Sequence, residues 1–253
     1  MHLRHLNPYI ESFKEKESIQ LLEKIDSKSI QLKFVADVKA GLKAYEVNAG
    51  IPLQTKEIKE NRAYHAKSQL TDEYFKYLDG ESVGRYYLNW HGEYLKWGKN
   101  LSRRRTFNLF STPRILVRQI PSKFPYCINA CFTQDTILND LNSMNIVNIK
   151  INPELVLGVL NSKLISYWFV RKFGKLQRGI FPQFKVNELS IFPIPKDFGK
   201  YRDDLIAKVR KIMEVKSKNL NADISQIDQE IDYILYQLYD LTDEEISIIE
   251  NAV

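Results

Sequence analysis

Residues 153–195 read PELVLGVLNSKLISYWFVRKFGKLQRGIFPQFKVNELSIFPIP, and the rest of the chain can be read outward from them. The first half predicts a helix with legible ends. Asn152 suits the N-cap, Pro153 the first helical position, and Gly174 the residue past the last turn. Between them Leu155, Val156, Leu157, Val159, Leu160, Leu164, Ile165, Trp168, Phe169 and Phe173 wrap most of the cylinder. This pattern predicts a single helix of about 21 residues, buried on several sides. Asn161, Ser162 and Lys163 in its middle argue against a membrane span, since a charge near the bilayer centre costs a few kcal/mol. The second half turns cationic: Arg171, Lys172, Lys175, Arg178 and Lys185 surround a glycine-containing loop with Phe181, Gln183 and Phe184 interleaved. Such cations serve either the helix C-terminal dipole or a nucleic-acid contact held in place by a rigid helix.

The charge of the chain is unevenly spread. Its net value is +6, yet residues 1–84 carry 13 Lys and Arg against 13 Asp and Glu, residues 85–185 carry 16 against 4, and residues 186–253 carry 8 against 14. A basic middle between a neutral start and an acidic end points to a polyanion, and to nucleic acid before membrane, because no basic amphipathic helix is evident. With 253 residues and 44% apolar side chains there is ample material for a core. Neither a secretory leader nor an uninterrupted membrane-length span is visible, which favours a cytoplasmic protein. Cys127 and Cys131 read as two buried thiols on one face, and the four histidines lack ligand spacing, so no metal is assigned.

Taken in order, residues 1–30 form a polar, helix-prone lead-in, and Asn7-Pro8-Tyr9 reads as a turn. From Gln31 the alternation of Leu32, Phe34, Ala36 and Val38 predicts a half-buried strand, and Gly41 to Thr55 a loop. Asp79-Gly80 is a turn signal, and Glu81–Trp90 (ESVGRYYLNW) reads as a strand with Arg85, Tyr87 and Asn89 on one side. Trp90, Tyr94 and Trp97 are either core or, beside Arg103, Arg104 and Arg105, stacking platforms for bases. Thr112–Ile120 (TPRILVRQI) is the clearest strand; it sets Arg114 and Arg118 about 13 Å apart on one face. They would serve as cross-strand charge partners or as phosphate or base contacts, and the second use is favoured because acids are scarce nearby. Strands are also expected at Tyr126–Thr133 and Asn145–Ile151.

After Pro195 the pattern is helical. Leu205, Ile206, Val209, Ile212 and Met213 mark one helix, and Ile224, Ile227, Ile231, Ile234 and Leu238 a second, as in a helical hairpin. Thr242-Asp243-Glu244-Glu245 is a capping box. No glycine-rich cofactor turn, phosphate loop or nucleophile elbow is present. Glu57-Ile58-Lys59 with Asp37 matches the tail of a nuclease signature, but metal-dependent chemistry needs more converging carboxylates. The expected class is a mixed α/β (α+β) fold: a β-rich N-terminal and central recognition region (31–195) with a buried helix, then a helical C-terminal region (196–253) for scaffold or docking.

Several segments in order, YLDGESVGRYYLNW, TPRILVRQI, LVLGVLNSKLISYWF, FPQFKVNELSIFPIP and EIDYILYQLYDLTDEEISIIE, resemble a known family. They look like the C-terminal target-recognition (specificity) domain of Taq-type adenine DNA methyltransferases and type IIG restriction–modification enzymes. The resemblance implies a mixed α/β module that grips double-stranded DNA and reads target bases. Catalysis, S-adenosylmethionine and Mg would belong to a methyltransferase or endonuclease domain of the parent chain or a partner subunit, with no cofactor in this segment. Charge and pattern then assign Arg103, Arg104, Arg105, Lys175 and Arg178 to phosphates, and Arg85, Arg114, Arg118, Gln183 and Lys185 to base edges, with Tyr87 beside them. The alternatives are a type I-like specificity subunit, or a helical protein-interaction module that binds no DNA.

Overall fold

The computed structural model describes residues 8–174, 183 and 185–252. Its centre is an antiparallel sheet of four strands in the order β2-β9-β6-β7. These are β2 (Asp37–Ala40), β6 (Arg114–Arg118), β7 (Ala130–Thr133) and β9 (Ser143–Val147). β6 pairs with both neighbours, Ile115 facing Phe132 on one side and Ile146 on the other. Ile115, Val117, Ala130, Met144 and Ile146 give one face of this sheet to the main core, which the helices complete. Leu116, on the opposite face, joins Leu78, Val83 and Ile137 in a second cluster. The sheet is thus covered on both sides, and that decides the fate of its arginines.

The helical layer begins with the stretch quoted above. It is not one helix but two: α4 (Pro153–Leu160) and α5 (Lys163–Phe173). Asn152 caps α4 through its side chain and Gly174 ends α5 at φ 60, as the sequence predicts. The break falls at Asn161-Ser162, where the Ser162 hydroxyl accepts from Ile165 N and starts a new helix. Asn161 leaves the helical path because its side chain does sheet work: Oδ1 accepts from Ala130 N and Nδ2 donates to Ala130 O, both at 3.0 Å. Local competition of polar side chains for backbone groups outweighs the apolar run. α4 lies on β6 and β7 and packs against α7 (Arg202–Lys218). Gly158 allows the close approach, since a Cβ there would sit 2.9 Å from Val209 Cγ2 and 3.0 Å from Leu205 Cδ1.

α8 (Ser225–Leu238) returns along α7 as the expected hairpin, and α9 (Asp243–Glu250) opens with the Thr242–Glu245 capping box formed as read. α8, α9 and the long lead-in helix α1 (Pro8–Ser27) all touch α5, so the C-terminal helices share one core with the sheet. β1 (Ser29–Gln31) and β10 (Pro193–Pro195) form a small antiparallel pair that ties the end of the lead-in to the end of the central region.

A second sheet has the order β3-β5-β4-β8, made of β3 (His65–Ala66), β4 (Tyr74–Leu78), β5 (Tyr94–Lys96) and β8 (Leu138–Asn139). β4 and β8 run parallel; the other pairs are antiparallel. Its core of Leu42, Tyr77, Leu95, Leu101, Phe110 and Leu138 is separate from the main one. The short helices α2 (Lys56–Glu60), α3 (Asn108–Ser111) and α6 (Val186–Leu189) complete the described elements.

Three expectations are corrected here. Leu32–Phe34 is a 3₁₀ turn, not part of a strand, and Leu32 alone of the three is buried. Glu81–Trp90 is no strand either. Asp79 caps a 3₁₀ turn, Val83 and Leu88 make one isolated bridge, and between them the chain turns tightly, with Tyr86 at φ 67. Tyr87 closes over that turn, where a Cβ on Gly84 would meet its ring at 2.2 Å. The strands expected at 126–133 and 145–151 are shorter or shifted, starting at Ala130 and Ser143. Cys127 and Cys131 are free and buried, and burial pushes both thiols up to about 12.

Candidate nucleic-acid interface

Between the central sheet and the second sheet's module lies an open groove of about 870 Å³. One side comes from Lys39 of β2, Val147 and Asn148 at the end of β9, and Thr112 ahead of β6. The other is the segment Arg104–Leu109 with Trp97 behind it. Among the described residues three cations line this space, and no carboxylate does. Two of its backbones, at Arg105 (φ 60) and Asn148 (φ 52), adopt the left-handed conformation that side chains rarely take.

Several of these side chains are held by identifiable contacts. Arg105 Nε donates to Gly41 O at 3.1 Å, which ties the turn to the end of β2. The Arg104 guanidinium lies 5.5 Å from the Trp97 ring centre, and Trp97 Nε1 donates to Arg104 O at 3.3 Å. Trp97 in turn packs edge-on against Phe107, 5.0 Å between centres. Asn148 Nδ2 donates to Asp37 at 2.8 Å. Among the described residues neither Lys39, Arg104 nor Arg105 has a carboxylate within ion-pair distance, whereas Arg103 lies 3.9 Å from Glu46. A cationic wall carrying an aromatic plane and side-chain amides can hold phosphates and stack or read bases.

Of the residues assigned from sequence, Arg103, Arg104 and Arg105 are exposed together on this turn, and Arg104 and Arg105 face the groove. Arg114 is corrected. It is fully buried, under the connection between β7 and β8. Its guanidinium donates to Thr112 O, Asp135 O, Ile137 O and Asn145 Oδ1, and burial pulls it down to about 10. It staples the β7–β8 connection and reaches no ligand. Arg85 is corrected in the same sense. Its guanidinium is bound by Asp228 and by Asn161 O, so the acidic tail does supply partners to the basic middle, as Glu250 does to Lys163.

Arg118 is half-buried and folded back on its own turn, donating to Ile120 O and Ser122 Oγ; burial lowers its pKa. Tyr87 is half-buried, with Lys216 Nζ 5.8 Å from its ring centre. Gln183 is exposed and reaches Asn142 at 3.5 Å, and Lys185 N caps α6 by donating to Glu188. Lys175 and Arg178 lie outside the described residues. Lys39, Phe107, Asn108 and Asn148 were not singled out by sequence, because nothing local marks a strand lysine or a loop asparagine as groove-lining.

Residues 75–194 match the model of the TaqI-like C-terminal specificity domain. Over this segment the chain is similar to a TaqI-like specificity domain. The groove's Trp97, Arg104, Arg105 and Phe107 all fall inside the matched range. Two solved structures share the fold at 12% identity and a TM-score of 0.51: the type IIL restriction–modification enzyme MmeI, in complex with DNA, and the type IIG restriction endonuclease BpuSI. They are matched over 85% and 89% of this chain, which spans only 34% and 33% of theirs. No curated protein matches the chain. Among the described residues no group of His, Cys, Asp and Glu is placed to hold a metal ion, and no helix is long and apolar enough to cross a membrane.

Proposed function

We propose that this chain binds double-stranded DNA and reads a target sequence as the recognition part of a restriction–modification enzyme. The reading rests chiefly on the acid-free cationic groove inside the TaqI-like specificity segment. Arg104, Arg105 and Lys39 hold phosphates, while Asn108 and Asn148 present amides of the kind that pair with adenine edges. Arg118, Gln183 and Lys185 are carried over from sequence as base contacts, and Lys175 and Arg178 as phosphate contacts. Methylation of adenine or cleavage belongs to a catalytic domain of the parent protein or a partner subunit, which binds S-adenosylmethionine or Mg. The α7–α8 hairpin and α9 are the scaffold on which that domain docks.

Selection from a random-sequence duplex library tests the proposal. Retention on the immobilised chain with enrichment of one short motif is the expected result. Equal retention of all sequences, or of none, would contradict sequence reading.

A further inference from the structure

The loop just before α2 carries an unusual surface. Val47, Ile51 and Leu53 are 42%, 70% and 65% exposed on a segment that is firmly held beneath them. Gln54, 1% exposed, anchors it: Nε2 donates to Ala44 O at 2.8 Å and to Asn100 O at 2.7 Å, and Oε1 accepts from Glu46 N at 2.9 Å. Ile51 N donates to Lys99 O at 2.7 Å. Gly50 sits at φ +82, and a Cβ there would lie 2.4 Å from Asn100 O, so glycine is what allows the loop to seat. These contacts prevent the apolar tips from folding inward.

The segment on which this loop rests, Lys99–Arg105, is the one that carries the arginine turn. The two stretches 43–60 and 99–105 together hold seven Lys and Arg against three Glu. Two of those Glu, Glu46 and Glu60, are already paired with Lys43 and Lys56. Lys59, Lys99, Arg104 and Arg105 have no carboxylate partner among the described residues. An apolar loop seated on a segment that carries cations without a carboxylate partner complements a polyanion whose apolar surface lies inside it. In duplex DNA that surface is the base stack, reached by wedging between steps.

We infer that Val47, Ile51 and Leu53 form a wedge that unstacks or kinks the duplex held by the neighbouring arginine turn. This rests on the DNA-binding reading above. A wedge of this kind favours DNA already bent or unstacked, because the deformation is then made in advance.

The test compares the full chain's affinity, by fluorescence anisotropy, for a mixed-sequence duplex and for the same duplex with a short central bulge. Wild type is expected to prefer the bulged duplex by about tenfold. Ile51→Ser with Leu53→Ser should erase that preference while binding the paired duplex within about twofold of wild type. Ile51→Val with Leu53→Met should keep it, and so should Ile19→Ser, an exposed apolar control on α1. Both loop residues are exposed, so thermal unfolding should be unchanged. A wild type without preference overturns the wedge, and so does a preference that survives the serine pair, which would assign the loop to a protein partner. If neither duplex binds, the DNA-binding reading fails first and the wedge with it.

Discussion

Arg85 and Asp228, 143 residues apart in sequence, form a two-pronged ion pair, with Nη1 to Oδ2 at 3.0 Å and Nη2 to Oδ1 at 2.7 Å. The pair bolts the turn after β4 to α8, and the Arg85 guanidinium also lies 3.9 Å from the centre of the Tyr126 ring. Both charges are largely buried, with side-chain exposures of 16% and 6%. Removing one leaves the other uncompensated, which costs about 3–5 kcal/mol at buried sites. Asp228→Ala is therefore expected to lower unfolding stability by that amount in urea titrations. Replacing both residues with apolar ones of similar size should cost much less. Equal losses in the single and double variants would show that the pair contributes packing rather than charge.

Arg114→Ala is expected to act on folding and not on recognition. The substitution strands three carbonyls and the Asn145 amide oxygen, all served by one guanidinium. Hydrogen bonds from a charged donor are worth about 1.5–3 kcal/mol each, so a loss of at least ~3 kcal/mol is anticipated. At a temperature where the variant stays folded, its DNA affinity should match wild type. Circular-dichroism melting alongside anisotropy separates the two effects.

The elements legible in the sequence were those fixed by near neighbours. The Asn152-Pro153 start, the Gly174 stop, the Thr242–Glu245 box and the β6 strand all formed as read. The break at Ser162 was hidden because the apolar run continues through it, while Asn161 answers to Ala130 in a distant strand. Alternation in Thr112–Ile120 reported the period of two but not which face stays wet. The connection between β7 and β8, which no local pattern places, folds over Arg114 and buries it. Arg103–Arg105 could be found as a charge run, but their groove partners Lys39 and Asn148 arrive only through sheet pairing.

Asp232 contributes stability that is lost as pH rises through the weakly acidic range, a contribution that His65, held neutral by burial, opposes. Burial pushes the Asp232 carboxyl up to about 6, although Lys163 N and the Tyr126 hydroxyl both donate to it and lower it. Unfolded, an aspartate titrates near ~4. Between those values the folded chain holds the extra proton, so raising pH costs stability, of order 1–3 kcal/mol in all. Asp232→Asn can keep both hydrogen bonds, its oxygen facing Lys163 N and its amide donating to Tyr126. Relative to wild type the variant should gain stability from about pH 4 to pH 7. Denaturant melts across that range would refute the assignment if the two chains ran parallel.

Salt dependence gives the sharpest measure of the groove. Each phosphate neutralised on duplex DNA contributes about 0.9 to the slope of log affinity against log salt. Among the described residues Arg104 and Arg105 meet no competing carboxylate, so both charges are available to phosphates. The Arg104→Ala, Arg105→Ala double variant should lose about two units of slope and weaken all duplexes alike. Arg103→Ala should lose less, because Glu46 already lies 3.9 Å from its guanidinium. Arg118, folded onto Ile120 O and Ser122, should leave the slope nearly unchanged when replaced by alanine. Anisotropy titrations at four or more salt concentrations decide between these slopes, and an unchanged slope in the double variant would move the phosphate contacts away from the groove.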